Sequence, residues 1–387
     1  MIVKVDNLSH DLKGIARVDS KVTFIDNALP GEVVDIKIIE EKKKFNRGKV
    51  ISYIEKSKDR KENICPYFDK CGGCSFSGTI NYKKNILIDI FKRYANMDIN
   101  PNVISGNKDF EYRNKISMKV NNGKLSLVEE QSTDFVDIDK CLLVNDSINS
   151  IIKILSGIDL SGLDEVIIRG TSSIMVILKG EYDYNKIISL LKDEVDSIIY
   201  NDKCVYGEEY ICIDVDKYKY AIYPDSFFQV NTDMISKLYN KIREYADNGD
   251  KLLDLYCGAG TIGIYLSDNF NKVRGVEINR DAVRGANLNK EINNINNISF
   301  ELGNVNNIRI EEDTVVVDPP RSGLDDKTRK ILINSNVKRL IYVSCNPITL
   351  ARDIDTFKEK YDIIDITLFD NFPNTKHMES MCLLEKR

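Results

Sequence analysis

The chain has 387 residues, of which 42% are hydrophobic and 30% are charged, and its formal net charge is −5. This length favours two or three domains, each with an apolar core. The absence of any run of about 18 apolar residues argues against a membrane span, and the early charged residues argue against a signal peptide. We therefore expect a cytoplasmic protein without a membrane partner, and the negative charge confines any nucleic-acid contact to a local basic patch.

Residues 1–57 have the pattern of short strands separated by turns. Asp26-Asn27 and Pro30-Gly31 punctuate the strand-like runs. Five short strands in so few residues predict a small closed β-barrel, a shape commonly used to hold RNA.

Positive charge is concentrated at the end of this region, where only Glu55 and Asp59 oppose it. A lone charge run is usually a solvated loop, but its position beside a small β domain makes RNA contact an equal alternative. The basic residues are Lys42, Lys43, Lys44, Arg47, Lys49, Lys56, Lys58, Arg60 and Lys61.

Residues 58–225 are expected to form a mixed α and β region. A helix is predicted over residues 82–94, with Ile86, Ile90 and Phe91 on one face. Strand-like runs follow at 115–120, 166–169 and 173–178, and 187–191 is predicted to be helical.

Residues 226–387 alternate strand and helix. Such alternation builds a doubly wound, mainly parallel sheet, in which ligands bind beyond the carboxyl ends of the strands. The predicted strands are 251–255, 273–276, 315–317, 340–343, 363–368 and 381–384.

A glycine-rich turn follows the first of these strands. Residues 254–263 read DLYCGAGTIG, which contains the spacing G-x-G-x-x-G. The spacing alone is weak because it also fits a dinucleotide fold, but Asp254 before the turn would repel a pyrophosphate. A carboxylate there suits a ligand with an amino group, such as S-adenosylmethionine.

Two further strands end in acidic residues at the same predicted edge. Glu277 ends the second strand, where a carboxylate can accept both ribose hydroxyls; the alternative is an ordinary surface acid. Asp318 ends the third strand, and Pro319 and Pro320 then fix a rigid loop that lacks two backbone donors. We predict that both carboxylates contact the cofactor.

A cysteine follows the fourth strand, in Ser344-Cys345-Asn346-Pro347. A free cysteine is more often a buried structural residue, but Cys345 leaves its strand at the same predicted edge as Asp318. A thiolate there can add to carbon 6 of uracil and make carbon 5 nucleophilic enough to accept a methyl group. A base must then remove the hydrogen left on carbon 5.

The segment His377-Met378-Glu379, just before the last strand, offers two candidates for that base. We prefer Glu379 and assign His377 a role in orienting the loop. The alternative is that Glu379 is an ordinary surface residue.

Three cysteines stand close together with the spacing C-x5-C-x2-C, namely Cys65, Cys71 and Cys74. Two glycines inside the last pair free its backbone to wrap a metal. Zinc and an iron–sulfur cluster both accept four cysteines, and the spacing does not choose between them. The nearest later cysteine is Cys141, and Cys204 and Cys212 are alternatives for the fourth ligand.

With these motifs in order, the sequence resembles the RNA uracil-5-methyltransferases, especially the 23S ribosomal RNA enzymes that carry a [4Fe-4S] cluster. The resemblance covers nearly the whole chain. Its most specific motifs are C-x5-C-G-G-C at 65–74, Phe227-Phe228-Gln229-Val230-Asn231, Asp318-Pro319-Pro320-Arg321, Ser344-Cys345-Asn346-Pro347 and His377-Met378-Glu379.

The resemblance implies three domains. Residues 1–57 resemble a TRAM domain, an RNA-holding barrel, and residues 58–225 resemble the central domain with the cysteine cluster. Residues 226–387 resemble a Rossmann-like domain that uses S-adenosylmethionine to methylate RNA. Residues 112–115 also resemble a family segment and are expected to contact RNA.

The resemblance also implies roles for single residues. Cys345 corresponds to the nucleophile and Glu379 to the general base. The S-adenosylmethionine contacts correspond to Gln229, Tyr256, Glu277 and Asp318, of which Gln229 comes from the family alone. The [4Fe-4S] ligands correspond to Cys65, Cys71, Cys74 and Cys141, which favours iron–sulfur over zinc.

Three alternatives remain at this point. The first is a tRNA uridine-5-methyltransferase, against which the cysteine cluster and the N-terminal barrel weigh, because the classical tRNA enzymes resemble only the later part. The others are an iron–sulfur redox protein and a non-catalytic RNA binder, and the latter would not need Cys345 together with Glu379.

Overall fold

A six-stranded sheet forms the N-terminal part of the computed structural model, which describes residues 1–68, 70–129 and 132–387. The strands are β1 (Ile2–Lys4), β2 (Asn7–Leu8), β3 (Gly14–Val18), β4 (Lys21–Asp26), β5 (Val33–Glu41) and β6 (Phe45–Glu55). Alternate residues, including Ala16, Ile25, Val34 and Ile36, point into one small core. Within the described ranges the sheet order is β1-β5-β6-β4-β3-β2, so the predicted closure into a barrel stays a prediction.

The middle of the chain contains a seven-stranded sheet in the order β10-β9-β8-β11-β12-β13-β14. Its apolar residues pack against two helices, α2 and α3, through Ile148, Ile152 and Ile187. The elements of this part are α1 (Ile80–Tyr94), β7 (Asn102–Ile104), β8 (Lys115–Asn121), β9 (Lys124–Val128), β10 (Phe135–Asp137), α2 (Asp146–Leu155), β11 (Leu163–Gly170), β12 (Ile174–Gly180), α3 (Tyr184–Leu191), β13 (Ser197–Tyr200), β14 (Lys203–Gly207), β15 (Ile211–Val215) and β16 (Tyr218–Ile222). Asp69, inside the cysteine motif, lies outside the described residues.

The C-terminal part is an eight-stranded sheet in the order β19-β18-β17-β20-β21-β23-β22-β7. The pairs among β17 to β21 are parallel, as predicted, whereas β23 runs antiparallel to both of its neighbours. Its elements are α4 (Thr232–Ala246), β17 (Gly249–Leu255), α5 (Thr261–Leu266), β18 (Phe270–Glu277), α6 (Arg280–Ile292), β19 (Ile298–Leu302), β20 (Thr314–Val317), α7 (Asp326–Asn334), β21 (Arg339–Ser344), α8 (Pro347–Phe357), β22 (Tyr361–Phe369) and β23 (Glu379–Lys386).

Two early elements, α1 and β7, pack with this C-terminal sheet. Strand β7 pairs in parallel with β22, with Val103 opposite Leu368. Helix α1 buries Leu87 and Phe91 in the same core as Phe357 of α8. The predicted divisions at residues 57 and 225 stay predictions, but the sheets do not follow the second one.

The strand register brings the ends of three strands and the start of a fourth to one edge of the C-terminal sheet. Leu255 at the end of β17 lies opposite Val276, the next-to-last residue of β18, and opposite Val317, the last residue of β20. Ser344 at the end of β21 lies opposite Ser380 near the start of β23. The residues after β17, β20 and β21 and the first residue of β23 therefore meet at this edge.

No helix in the described ranges is long and apolar enough to cross a membrane. The predicted cytoplasmic location stays a prediction.

Candidate active site

The glycine turn after β17 has the backbone that its glycines allow. Gly258 has a φ of 53° and Gly260 a φ of 77°, values that residues with a Cβ rarely adopt. A Cβ on Gly260 would lie 2.4 Å from the ring of Phe300, whereas one on Gly258 would meet no atom within 4 Å. Gly260 is thus required for packing, and the space at Gly258 is open to a ligand.

Asp254 lies beneath this turn, fully buried. Its Oδ2 accepts a hydrogen bond from the Gly263 backbone N–H at 2.9 Å, which fixes the start of α5. Within the described residues Oδ1 has no hydrogen-bond donor. Burial, with the nearby Asp318 and Glu277 charges, raises the pKa of Asp254 to about 8. Asp254 therefore supports the glycine turn from beneath, and its predicted preference for a ligand with an amino group stays a prediction.

Glu277 joins the glycine turn to the start of α6. Its Oε2 accepts from the Gly258 N–H at 3.2 Å, and its Oε1 accepts from the Asn279 N–H at 2.8 Å. The side chain is half-buried, and each carboxylate oxygen keeps a second lone pair. The ribose hydroxyls of a nucleoside ligand are the donors expected at this position. The predicted surface-acid alternative fits these contacts poorly.

A cleft of about 580 Å³ opens beside the turn and Glu277. Tyr223 and Phe227 line it together with Gly258 and Ala259. Phe227 is 74% exposed, which is unusual for an aromatic side chain. The cleft is large enough to admit a nucleoside-sized group.

Gln229 and Tyr256 occupy different surroundings. Gln229 is buried, and its backbone carbonyl accepts from Asn114 Nδ2 at 3.0 Å. Tyr256 has a φ of 61°, in the left-handed region that favours glycine, and its ring packs partly buried against the core of the sheet. A strained non-glycine residue beside a ligand-binding turn often marks a functional position. Sequence spacing alone gave no signal for Gln229.

The predicted catalytic pair meets across two neighbouring strands. Cys345 directly follows β21 and is half-buried, and Glu379 is the first residue of β23 and is 3% exposed. Ser344 and Ser380, their neighbours in the chain, pair directly. Asp318 follows β20 at the same edge, and its charge acts on both Cys345 and Glu379.

The ionisable groups at this edge of the sheet shift one another's pKa. Burial raises the pKa of Asp318 to about 7. Burial and the Asp318 charge hold the pKa of Glu379 well above its usual range. Burial raises the pKa of the Cys345 thiol, and the Glu379 and Asp318 charges raise it further. Such pKa shifts among neighbouring groups are frequent at catalytic sites.

Arg321 partly offsets these shifts, and sequence reasoning gave it no role although it stands in the Asp-Pro-Pro-Arg motif. Its guanidinium lowers the pKa of both Cys345 and Glu379. Its Nη2 also lies 3.3 Å from His377 Nδ1. Burial and the Arg321 charge lower the pKa of His377 to about 4, so the imidazole is neutral at neutral pH. A neutral His377 held by Arg321 and packed on the Phe372 ring is consistent with its predicted orienting role.

The four predicted cluster cysteines lie within electrostatic reach of one another. Burial raises the pKa of Cys74 to about 12, and Cys141, Cys65 and Cys71 raise it further. By contrast, the charged neighbours that shift the pKa of Cys204 and Cys212 are acidic residues and a lysine, not the four cluster cysteines. In the described ranges no three His, Cys, Asp or Glu side chains have metal-binding geometry. The cysteines are thus near neighbours that are not arranged around a common centre.

Two expectations for RNA contact need correction. Tyr112 and Asn114 were expected to reach RNA, but they are 2% and 3% exposed and bind backbone carbonyls. Arg60, counted in the basic patch, forms a 2.6 Å ion pair with the buried Glu32 and is structural. Lys43 and Lys44 are exposed between β5 and β6 and keep their predicted role as candidates.

The parallel strands, the glycine turn and the carboxylates at one sheet edge define an S-adenosylmethionine-dependent methyltransferase. Comparison with known proteins agrees with this class. Residues 192–387 match the family model described as tRNA (Uracil-5-)-methyltransferase, and residues 1–51 match the TRAM domain. The chain belongs to the RNA uracil-5-methyltransferase family, and it carries a TRAM domain at its N-terminus.

Individual relatives match over nearly the whole chain. An uncharacterized RNA methyltransferase of Halalkalibacterium halodurans is 32% identical over 99% of this chain and 96% of its own length. One of Clostridium acetobutylicum is 31% identical, with the same coverage of 99% and 96%. The crystal structure of Pyrococcus abyssi tRNA (uracil-54, C5)-methyltransferase in complex with S-adenosyl-L-homocysteine has a TM-score of 0.84 and 28% identity, covering 99% of both chains.

Proposed function

We propose that this enzyme methylates carbon 5 of a uridine in RNA, with Cys345 as nucleophile and Glu379 as general base. The observation that carries the proposal is their meeting, with Asp318, at one edge of the sheet. A redox protein or a non-catalytic RNA binder would not need a half-buried thiol beside two carboxyls at the edge of a methyltransferase sheet.

The chain's own residues account for each step. The Cys345 thiol loses its proton, and the thiolate forms a bond to carbon 6 of uracil, which makes carbon 5 nucleophilic. S-adenosylmethionine supplies the methyl group that carbon 5 accepts. The Glu379 carboxylate then takes the proton from carbon 5, and the carbon 6–sulfur bond breaks, which restores the ring double bond and the thiolate.

The cofactor position is proposed from the open space at Gly258 and the partners around it. Glu277 would accept the ribose hydroxyls, and Asp254 would hold the glycine turn in place from beneath. Gln229, Tyr256 and Asp318 complete the proposed contacts. Glu277, Tyr256 and Asp318 lie at the edge where β17, β18 and β20 end, whereas Gln229 is proposed from the family resemblance.

We assign the [4Fe-4S] cluster to Cys65, Cys71, Cys74 and Cys141. Four half-buried thiols within electrostatic reach of one another form a suitable donor set, and they would have to move together to bind it. A bound cluster would cross-link two segments of the central region. Its proposed role is structural or in holding RNA, so activity that required reduction of the cluster would contradict this assignment.

Two RNA classes are candidates for the substrate. The family motifs in the sequence favour 23S ribosomal RNA. The 99% coverage of a tRNA enzyme favours tRNA and counters the preference for ribosomal RNA that rested on the N-terminal domain.

The test offers the purified enzyme both RNAs. Unmodified 23S fragments and tRNA transcripts are incubated with labelled S-adenosylmethionine, and the modified nucleoside is identified by mass. We expect 5-methyluridine in one RNA. Transfer to tRNA alone would exclude 23S ribosomal RNA as the substrate, transfer to 23S fragments alone would exclude tRNA, and a label on any other atom would overturn the proposed chemistry. RNA containing 5-fluorouridine, which has no proton to lose at carbon 5, should form a stable adduct with the protein.

A further inference from the structure

The loop that leads into Glu379 is held from outside the C-terminal sheet. This base loop, residues 370–378, joins β22 to β23, and three consecutive carbonyls in it accept hydrogen bonds. Lys83 Nζ donates to the Phe372 carbonyl at 3.0 Å, and the Tyr112 hydroxyl donates to the Pro373 carbonyl at 2.9 Å. The Asn374 carbonyl accepts two more bonds, described next.

The donors to Asn374 follow the cysteine motif directly. The backbone N–H groups of Ser75 and Phe76 donate to the Asn374 carbonyl at 3.1 and 3.2 Å. Ser75 is the residue after Cys74 in the chain. A displacement of Cys74 therefore moves a direct partner of the base loop.

Tyr112 is joined to the fourth cysteine in a similar way. The N–H groups of Glu111 and Arg113, on either side of Tyr112, donate to the Leu142 and Leu143 carbonyls at 2.8 Å each. Leu142 follows Cys141 in the chain. Cys74 and Cys141 are thus each a few bonds from the carbonyls at 373 and 374.

The same segment also holds the other side of the site. Asn114 donates through Nδ2 to the Gln229 carbonyl at 3.0 Å, and through its backbone to the Val230 carbonyl at 2.8 Å. Asn231 Nδ2 in turn donates to the Asn371 carbonyl at 2.9 Å. Residues 111–115 therefore fix the Gln229 segment and the base loop relative to each other.

The Tyr112 contact and the Lys83–Asp370 pair are buried, so each of these two is costly to lose. Tyr112 and Lys83 are both 2% exposed, and the Lys83 charge is paired with Asp370 at 3.1 Å. Asn374 has a φ of 63°, and its Nδ2 donates to the Asp109 carbonyl at 2.7 Å. A buried donor or acceptor left without its partner destabilises the arrangement that contains it.

We infer that Tyr112 and Asn374 are positioning residues for Glu379, and that the cysteine set acts on the base loop through them. The inference rests on the proposed function of Glu379. It gives residues 112–115 a role inside the protein in place of the expected RNA contact. Loss of the Tyr112 hydroxyl, or of the left-handed backbone at Asn374, should impair proton removal from carbon 5 more than it impairs cofactor binding.

The first test compares Tyr112→Phe with Tyr361→Phe. Tyr361 is also fully buried and also donates to a backbone carbonyl, that of Val337 at 2.9 Å, but it lies at the far end of β22. With the RNA that the wild type methylates, Tyr112→Phe should raise the ratio of covalent adduct to released product by about tenfold or more, because small misplacements of a catalytic group are costly. The dissociation constant for S-adenosylhomocysteine should not change, and Tyr361→Phe should behave as the wild type.

The second test uses the left-handed backbone of Asn374. Asn374→Gly keeps that conformation, whereas Asn374→Val disfavours it. Only the valine variant should raise the adduct ratio. Equal ratios for the glycine and valine variants would overturn the role of Asn374.

The third test follows hydrogen exchange at the base-loop amides in the free protein, which needs no activity. Exchange should be faster in Tyr112→Phe and in Cys74→Ser than in Tyr361→Phe and Cys212→Ser. Unchanged exchange in Cys74→Ser would overturn the link from the cysteine set.

The failure of the proposed function can be told from the failure of the positioning inference. A wild type that forms no adduct with either RNA would overturn the proposed function. A normal wild type, with Tyr112→Phe equal to Tyr361→Phe in both the adduct and the exchange assay, would overturn only the positioning inference.

Discussion

The pKa of the Cys345 thiol depends on two nearby carboxyls, Glu379 and Asp318, and on one cation, Arg321. Burial alone makes its thiol a weaker acid, and the carboxyls of Glu379 and Asp318 act in the same direction. Arg321 is the cation that opposes these effects and favours the thiolate. Neither the burial of the thiol nor these nearby charges can be read from the sequence around Cys345.

Removing the nucleophile should abolish the reaction and spare the cofactor. We expect Cys345→Ala to lower methyl transfer by on the order of 10⁴-fold or more, the scale seen when a covalent nucleophile is lost. Binding of S-adenosylhomocysteine, measured by calorimetry, should equal that of the wild type because Cys345 is no proposed contact. Cys382→Ala, a buried cysteine on β23, is the control. Residual transfer in Cys345→Ala close to the wild-type rate would disprove covalent catalysis.

Removing the base should stop the reaction one step later. Glu379→Gln keeps the shape of the side chain and loses its ability to accept the proton from carbon 5. We expect a methylated RNA that stays attached to the protein on denaturing gels, and product release slower by about 10²- to 10⁴-fold. Glu385→Gln, at the other end of β23, should show no adduct. Free release of product by Glu379→Gln would show that another residue is the general base.

The reaction rate should rise with pH. Cys345 and Glu379 both act in their ionised forms, and both have a raised pKa, so the active fraction grows as protons leave. Arg321→Gln removes the cation that lowers both values and should shift the single-turnover profile to higher pH, whereas Arg321→Lys should shift it less. The measurement is the single-turnover rate between about pH 6 and about pH 9. An Arg321→Gln profile that coincides with the wild type would contradict this role of Arg321.

At the scale of elements, most strands of the C-terminal region were predictable because they are short apolar runs, several of them followed by motif residues, although β19 was not predicted. Val315 to Val317 is the clearest example, and all three are fully buried. Helix α1 was predicted as part of the central region and strand β7 was not predicted, because the partners of both elements stand far along the chain. Val103 pairs with Leu368, and local periodicity carries no information about such a pairing.

The glycine turn permits a test of one element. Gly260→Ala places a Cβ against Phe300 at a φ of 77° and should lower the free energy of unfolding by about 1–3 kcal/mol. Gly285→Ala, in helix α6, meets its nearest atom at 3.8 Å and should be neutral or stabilising by up to about 1 kcal/mol. Chemical denaturation measures both. A Gly260→Ala variant as stable as Gly285→Ala would show that the turn tolerates a side chain.

At the scale of the whole molecule, the order of regions and the sheet edge that carries the site could be predicted. The contacts of Arg60, Tyr112 and Asn114 could not, because a basic or polar side chain looks the same in sequence whether it faces RNA or a buried carbonyl. Their roles depend on which segments meet in three dimensions. The same limit applies to Arg321, whose effect arises from the packing of β20 against β21.

The net charge of −5 leaves RNA attraction to local positive charge. The pair Lys43→Ala and Lys44→Ala should weaken RNA binding and reduce the slope of log affinity against log salt by about 1.4, or about 0.7 for each lost single-strand contact. Lys272→Ala with Lys330→Ala makes the same change of net charge at exposed sites elsewhere and should leave the slope unchanged. Filter binding at several salt concentrations measures both pairs. Equal slopes for the two pairs would exclude the turn between β5 and β6 from the RNA interface.

The presence of β7 at the border of the large sheet bears on how such a protein can be divided. A fragment beginning at residue 226 would expose the outer edge of β22, whose backbone groups pair with residues 102–104 in the intact chain. It would also uncover the apolar side of α8 that α1 shields. Such a piece would tend to self-associate through the bared strand, so the catalytic half is independent only when the stretch from residue 80 to residue 104 accompanies it.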